Sequence, residues 1–285
     1  MSTEIGDTDY IVKLIDECRK MNLKVLPPNV NESQVGFVVT LDGIRFGLSA
    51  IKNVGVNAVE SIISMKNKDG NFENIFDFCK RVDLRLVNKK TLEGLIQAGA
   101  FDSLGGHRAQ MFSCVEKAIQ YGGQAQGFQS VGQSTLFESD SILSKTHHYP
   151  PMPDAASWSE SEKLTREKSV LGFYVSGHPL LKYEMEVEAF STASLGNPSV
   201  VKSGSTVRVC GIVSSIKTKF DKKGNKMAFV TIEDFSGKGE GIVFSKVYQQ
   251  CLSSPVEEAM IMIIGSAEQN GDSLRILVNE IYPME

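Results

Sequence analysis

Between Gly47 and Ile63 the chain reads Gly47-Leu48-Ser49-Ala50-Ile51-Lys52-Asn53-Val54-Gly55-Val56-Asn57-Ala58-Val59-Glu60-Ser61-Ile62-Ile63. The pattern is a short apolar helix, a tight turn, and a second helix with Ala and Ile on its inner face. A turn that opens a helix leaves backbone N–H groups without intrahelical acceptors, and such groups can hold a phosphate. Gly55 lets the backbone approach the anion closely, and Lys52 adds positive charge. The candidate contact is Lys52, Asn53, Val54, Gly55, Val56 and Asn57. It would engage a phosphate backbone, not bases. An ordinary helix–helix corner is the competing use of the same residues.

Two basic clusters point the same way. Lys80, Arg81, Arg85, Lys89 and Lys90 lie close together with Asp83 opposing, and Arg85, Lys89 and Lys90 are the candidate contacts. Lys217, Lys219, Lys222, Lys223 and Lys226 surround Phe220, with Asp221 opposing. These lysines would neutralise phosphates, and Phe220 would stack on a base. A solvated surface and a charge-guarded hairpin tip are the plainer readings. The net charge of −4 provides no global attraction for a polyanion, so any such contact must be local.

Other groupings carry less chemistry. Asp7-Thr8-Asp9 precedes a helical pattern, where acidic residues cap and favour the dipole. Gly237-Lys238-Gly239-Glu240-Gly241 joins two strand patterns with no helix after it, so it reads as a turn and not a phosphate loop. His147-His148 lacks Cys or carboxylate partners at ligand spacing, and His107 and His178 border helices as caps or surface residues. The five cysteines, Cys18, Cys79, Cys114, Cys210 and Cys251, form no metal-type pair and are expected as buried thiols. No catalytic residue, metal ligand or cofactor site is expected in this chain. With no long apolar run and no basic-then-apolar N-terminus, it reads as cytoplasmic, without a membrane partner.

The elements that must position these residues follow from periodicity. A helix around Ile11, Leu14, Ile15 and Cys18 precedes the apolar run Leu23–Leu26, and Leu41-Asp42-Gly43 between Val35–Thr40 and Ile44–Phe46 signals a hairpin. Helical spacing predicts helices over Val56–Met65, Ile75–Val82, Lys89–Ala98 and His107–Tyr121. The Gly, Gln and Ser content from Gly122 reads as a linker, and the Pro-rich stretch before Trp158 as irregular. Helices are predicted over Ser159–Val175 and Leu180–Phe190. From Ser205 the pattern is β-like: five strands, with a helical insert at Lys246–Leu252 between the third and fourth. That is the order of an OB fold. The predicted class is α+β and multidomain, a mostly helical module followed by a five-stranded barrel. The predicted boundaries are 1–46, 47–121, a linker at 122–158, a helical connector at 159–204, and the barrel at 205–285.

The Gly47–Ile63 segment resembles a helix-hairpin-helix motif, with Asn53 where that motif has its first glycine. Asn tolerates the left-handed conformation better than other non-Gly residues. Further stretches are Val25-Leu26-Pro27-Pro28-Asn29-Val30-Asn31, Leu95-Ile96-Gln97-Ala98-Gly99-Ala100-Phe101-Asp102, and Leu164 through Pro179. In this order, followed by the barrel, they resemble the alpha subunits of bacterial replicative DNA polymerase III, a C-family DNA polymerase, from about Tyr10 to Glu285. The resemblance implies that residues 1–46 end the fingers, that the hairpin region grips duplex DNA, and that the barrel lies near single-stranded template. It also implies a peptide that binds the sliding clamp (beta subunit), matched here by Gln133, Leu136 and Phe137, and contact with other replisome subunits. The palm, whose acidic residues hold catalytic Mg2+ in the parent polymerase, precedes the matched region, so this chain is expected to be a non-catalytic fragment that binds primer–template DNA. Two other readings compete: a replisome protein-interaction module with little DNA affinity, and a stand-alone enzyme, for which no constellation is found.

Overall fold

The computed structural model describes residues 11, 14, 15, 17, 18, 21–130, 149–250, 256–271 and 273–284. Asp7-Thr8-Asp9, the clamp-binding candidates Gln133, Leu136 and Phe137, His147-His148 and Cys251 lie outside the described residues. The chain divides into two compact units, one ending at Gly177 and one beginning at His178. This division falls inside the stretch expected as one helical connector. Among the described residues no helix is long and apolar enough to cross a membrane.

The first unit opens on a small sheet. Strands β1 (Val25–Leu26), β2 (Val38–Thr40) and β3 (Gly43–Arg45) lie in the order β1-β3-β2. β2 and β3 form the antiparallel hairpin that Asp42-Gly43 signalled. Helices follow: α1 (Val56–Asp69), α2 (Ile75–Arg81), α3 (Lys89–Gln97), α4 (Arg108–Ser113), α5 (Val115–Ser130) and α6 (Glu160–Leu171). Side-chain caps start several of them. Asn74 accepts the Phe76 and Asp77 N–H groups, Asn88 accepts that of Thr91, and His107 forms a reciprocal capping box with Gln110. Leu48, Ile51, Val59, Ile62, Phe76, Phe78, Leu92, Leu95 and Phe101 share one core. Each such side chain contributes roughly 1.5–3 kcal/mol relative to exposure.

Two expectations are corrected here. The helix predicted over His107–Tyr121 is broken at Cys114 into α4 and α5. The segment Gly122–Ser130, expected as linker, is the second half of α5. Its composition serves packing. A Cβ added at Gly122 would lie 2.2 Å from the Cys79 carbonyl oxygen, so only glycine lets α5 approach α2 this closely. One turn on, Gln126 Nε2 donates to the carbonyls of Cys79, Lys80 and Val82 at 3.1, 3.2 and 2.8 Å, capping the C-terminus of α2.

α6 belongs to the same core. Glu167 is fully buried and accepts from Arg108 Nη1 at 2.9 Å, from the Val175 and Ser176 N–H groups at 2.6 and 2.8 Å, and from Ser176 Oγ at 2.6 Å. Arg108 Nη2 also reaches Asp102 at 2.7 Å. A buried carboxylate so completely satisfied ties α4, α6 and the 175–176 backbone into one body.

The second unit begins with a 3-10 turn at Pro179–Tyr183 and α7 (Glu184–Phe190). The His178 ring caps this turn by accepting the Leu180 N–H. Leu180, Tyr183 and Val187 pack on Cys210. The barrel strands are β4 (Thr206–Phe220), β5 (Lys226–Glu233), β6 (Lys238–Val243), β7 (Met260–Asn270) and β8 (Ser273–Pro283). They close in the order β4-β5-β6-β8-β7, and α8 (Ser245–Gln250) lies between β6 and β7. β4 is long enough to pair with β7 in its first half and β5 in its second, with a bulge between Val213 and Ser215 where it bends. β6 and β8 run parallel and every other adjacent pair is antiparallel. This is the OB arrangement.

Candidate nucleic-acid interface

The hairpin is built by the short 3-10 turn Leu48–Ala50, a tight turn through Lys52 and Asn53, and the start of α1. Asn53 adopts φ +69, the left-handed conformation expected of the residue at the motif's first glycine position. Gly55 is the N-cap of α1, at φ −77 and ψ 154, with no side-chain cap. The N–H groups of Val56, Asn57 and Ala58 therefore open the helix without intrahelical acceptors. Lys52, Asn53, Gly55, Val56 and Asn57 are exposed. A Cβ at Gly55 would meet nothing within 4 Å, so the space over this backbone is open. Val54 departs from the expectation of direct contact: its side chain is buried, and its N–H already donates to the Ile51 carbonyl at 3.1 Å. Val54 anchors the turn from inside.

The cluster over residues 80–90 is only partly available. Arg81 is a structural residue: it donates to Asp77 Oδ2 at 2.9 Å and to the Met65 and Gly70 carbonyls at 2.9 and 2.6 Å, and lies over the Phe72 ring. Arg85 pairs with Asp83 at 2.7 Å, and that hydrogen bond holds the Asp83 carboxyl down at about 2. Lys89 pairs with Glu116. Such exposed pairs are weak and exchangeable. Lys90 is exposed and forms no ion pair among the described residues. It directly precedes Thr91, whose hydroxyl donates to the Asn53 carbonyl at 3.0 Å. The first turn of α3 is thereby brought against the hairpin, which spacing alone did not show.

In the barrel, register sorts the second cluster. Lys217 pairs with Phe229 and Lys219 with Met227, while Thr218 pairs with Ala228 and Ile216 with Val230. Ala228 and Val230 are interior, so Lys217, Lys219, Met227 and Phe229 share the outer face. Lys219 Nζ lies 5.0 Å from the centroid of the Phe229 ring. Phe220 pairs with Lys226 on the opposite face, beyond the barrel's end, and is 67% exposed. Phe220 and the Lys217–Lys219 pair thus lie on opposite faces of the strand pair, although they are adjacent in sequence. Phe229 shares the outer face with these lysines instead, a neighbour that adjacency along the chain did not show. The alternation Met227, Phe229, Thr231 against Ala228, Val230, Ile232 was the available signal. Lys222 and Lys223 are exposed in the intervening turn. Asp221 Oδ1 accepts the Lys223 and Asn225 N–H groups, each at 2.8 Å, and these backbone bonds, that of Asn225 foremost, hold its carboxyl below the usual range.

Known proteins share both parts. The helix-hairpin-helix motif family matches residues 22–111, and the family described as an OB-fold nucleic acid binding domain matches residues 207–284. The DNA polymerase III subunit alpha of Neisseria meningitidis serogroup A is 36% identical across 100% of this chain and 25% of its own length. Those of Pseudomonas aeruginosa and Borreliella burgdorferi are 34% and 35% identical across the whole chain. The chain spans about a quarter of the length of the curated relatives it matches. Among solved structures, the second OB-fold domain of replication protein A from Methanococcus maripaludis covers 30% of this chain and 89% of its own, at 17% identity and a TM-score of 0.24. Across its whole length, with hairpin region and barrel in tandem, the chain is similar to one quarter of the length of DNA polymerase III alpha subunits.

Proposed function

We propose that this chain holds primer–template DNA by its phosphates, without reading sequence, as a non-catalytic part of a bacterial replicative polymerase. Duplex backbone lies on the hairpin, where the N–H groups after Gly55 meet one phosphate and Lys52 and Lys90 flank it. Single-stranded template lies on the outer barrel face, with Lys217 and Lys219 on phosphates and Phe229 under a base. Gln133, Leu136 and Phe137 tether the polymerase to the sliding clamp, the apolar pair Leu136 and Phe137 entering a pocket of the clamp. Nucleotide transfer and its Mg2+ belong to other parts of the parent protein, which works in the cytoplasm with the remaining replisome subunits. The observation that carries this reading is the uncapped, exposed start of α1 under open space.

Fluorescence anisotropy with labelled duplex and single strands, across a salt series, tests it. Affinity should fall steeply with salt, with a log–log slope of about −0.9 per phosphate neutralised on duplex. No binding to either form at low salt sinks the reading. Changing Leu136 and Phe137 to Ala should abolish clamp binding and leave DNA affinity unchanged; retained clamp pull-down refutes the tether.

A further inference from the structure

We propose that Thr91 and Gly94 of α3 are positioning residues for phosphate binding, because they turn the hairpin's carbonyls inward and leave its N–H groups facing out. The inference rests on the hairpin being the duplex contact. An anion site at a turn needs donors outward and acceptors elsewhere, since a carbonyl oxygen repels phosphate. Two carbonyls of the turn that leads to the open N–H groups, those of Lys52 and Asn53, lie against α3. A Cβ at Gly94 would lie 2.9 Å from the Lys52 carbonyl oxygen, so the absent side chain makes room for that oxygen. Thr91 is 3% exposed, and its Oγ1 donates to the Asn53 carbonyl at 3.0 Å. That bond ties the turn at Asn53, which stands at φ +69, to α3. On the other side the Lys52 N–H donates to the Val170 carbonyl of α6 at 2.9 Å. The turn is therefore gripped from α3 and α6 at once, while its α1 end stays exposed.

The test uses the full chain. Thr91→Val keeps the shape and removes the donor; Thr91→Ser restores the hydroxyl. Duplex affinity is read by anisotropy, fold by thermal melting, and the hairpin directly by amide chemical shifts of Gly55, Val56 and Asn57 titrated with inorganic phosphate. Thr91→Val should weaken duplex binding on the order of tenfold and abolish the phosphate response, while Thr91→Ser stays within about twofold of the parent chain. Gly94→Ala should act in the same direction as Thr91→Val, and decides the matter if Thr91→Val does not fold. Parent-like affinity in Thr91→Val, with Gly55→Val impaired, overturns the positioning role and leaves the hairpin contact standing. Parent-like affinity in both variants removes the hairpin reading itself. An equal loss in Thr91→Ser overturns the role assigned to the hydroxyl.

Discussion

At the residue scale, Gly55 is where the proposed phosphate contact can be separated from folding. Its backbone angles are open to any L-residue and a Cβ there meets no atom, so nothing in the fold requires glycine. Gly55→Val should cost about 1 kcal/mol of stability, the usual loss for an apolar residue at a helix N-cap. It should also weaken duplex affinity on the order of tenfold, because the branched side chain would stand where the phosphate approaches. A urea melt paired with anisotropy checks both halves; a large stability loss would show that the glycine serves the fold. Cys79 makes the opposite case. Burial foremost, with Cys114 nearby, pushes its thiol from 9.0 up to about 12. A raised folded value means that stability from keeping the thiol neutral is complete below pH 9 and is lost as pH climbs toward 12. Urea midpoints should fall over that window, less steeply in Cys79→Ala. Equal slopes in the two chains would show that Cys79 does not titrate with unfolding.

Among the elements, α5 decides how far the first unit extends. Residues Gly122–Ser130 have the composition of a linker, yet Gly122 lies against the Cys79 carbonyl and Gln126 caps α2. Gly122→Val should destabilise the first unit by about 1–3 kcal/mol, since the added carbons would force α5 off α2. A urea midpoint matching the parent's would show that the second half of α5 is dispensable. α3 likewise has a role its sequence does not announce. It looks like a capped amphipathic helix with two lysines, but Thr91 and Gly94 face a turn 38 residues earlier in the chain for Thr91's bond to Asn53.

At the scale of the whole molecule, each unit has its own core. The chain from His178 brings Leu180, Tyr183 and Val187 onto Cys210. Leu195 N–H donates to the buried Asp234 at 2.8 Å, and Gly196 abuts the Ser236 carbonyl. A chain of residues 178–285 should therefore fold alone, while one starting at 205 should be less stable by at least about 3 kcal/mol, having lost these apolar anchors. Circular dichroism and urea melts of the two chains check this; equal stability would make the stretch before β4 an appendage and not part of the unit.

What the sequence by itself determined is what short-range physics encodes. The hairpin turn, with Asn53 left-handed and Gly55 opening α1, is local, as are the Asn, Ser and His caps and the Asp42-Gly43 turn. The barrel was legible because period-two alternation and turn residues recur along one stretch of chain. Only the tertiary structure decided what depends on groups distant in sequence. It put Lys89 on Glu116, which spends part of a cluster that looked free. It set Phe220 on the far side of the sheet from Lys217 and brought Phe229 to that lysine, because register across a hairpin, not adjacency along it, assigns faces. It carried Thr91 to Asn53 and Gln126 to the end of α2, because an unpaired carbonyl accepts whichever donor the packed chain delivers.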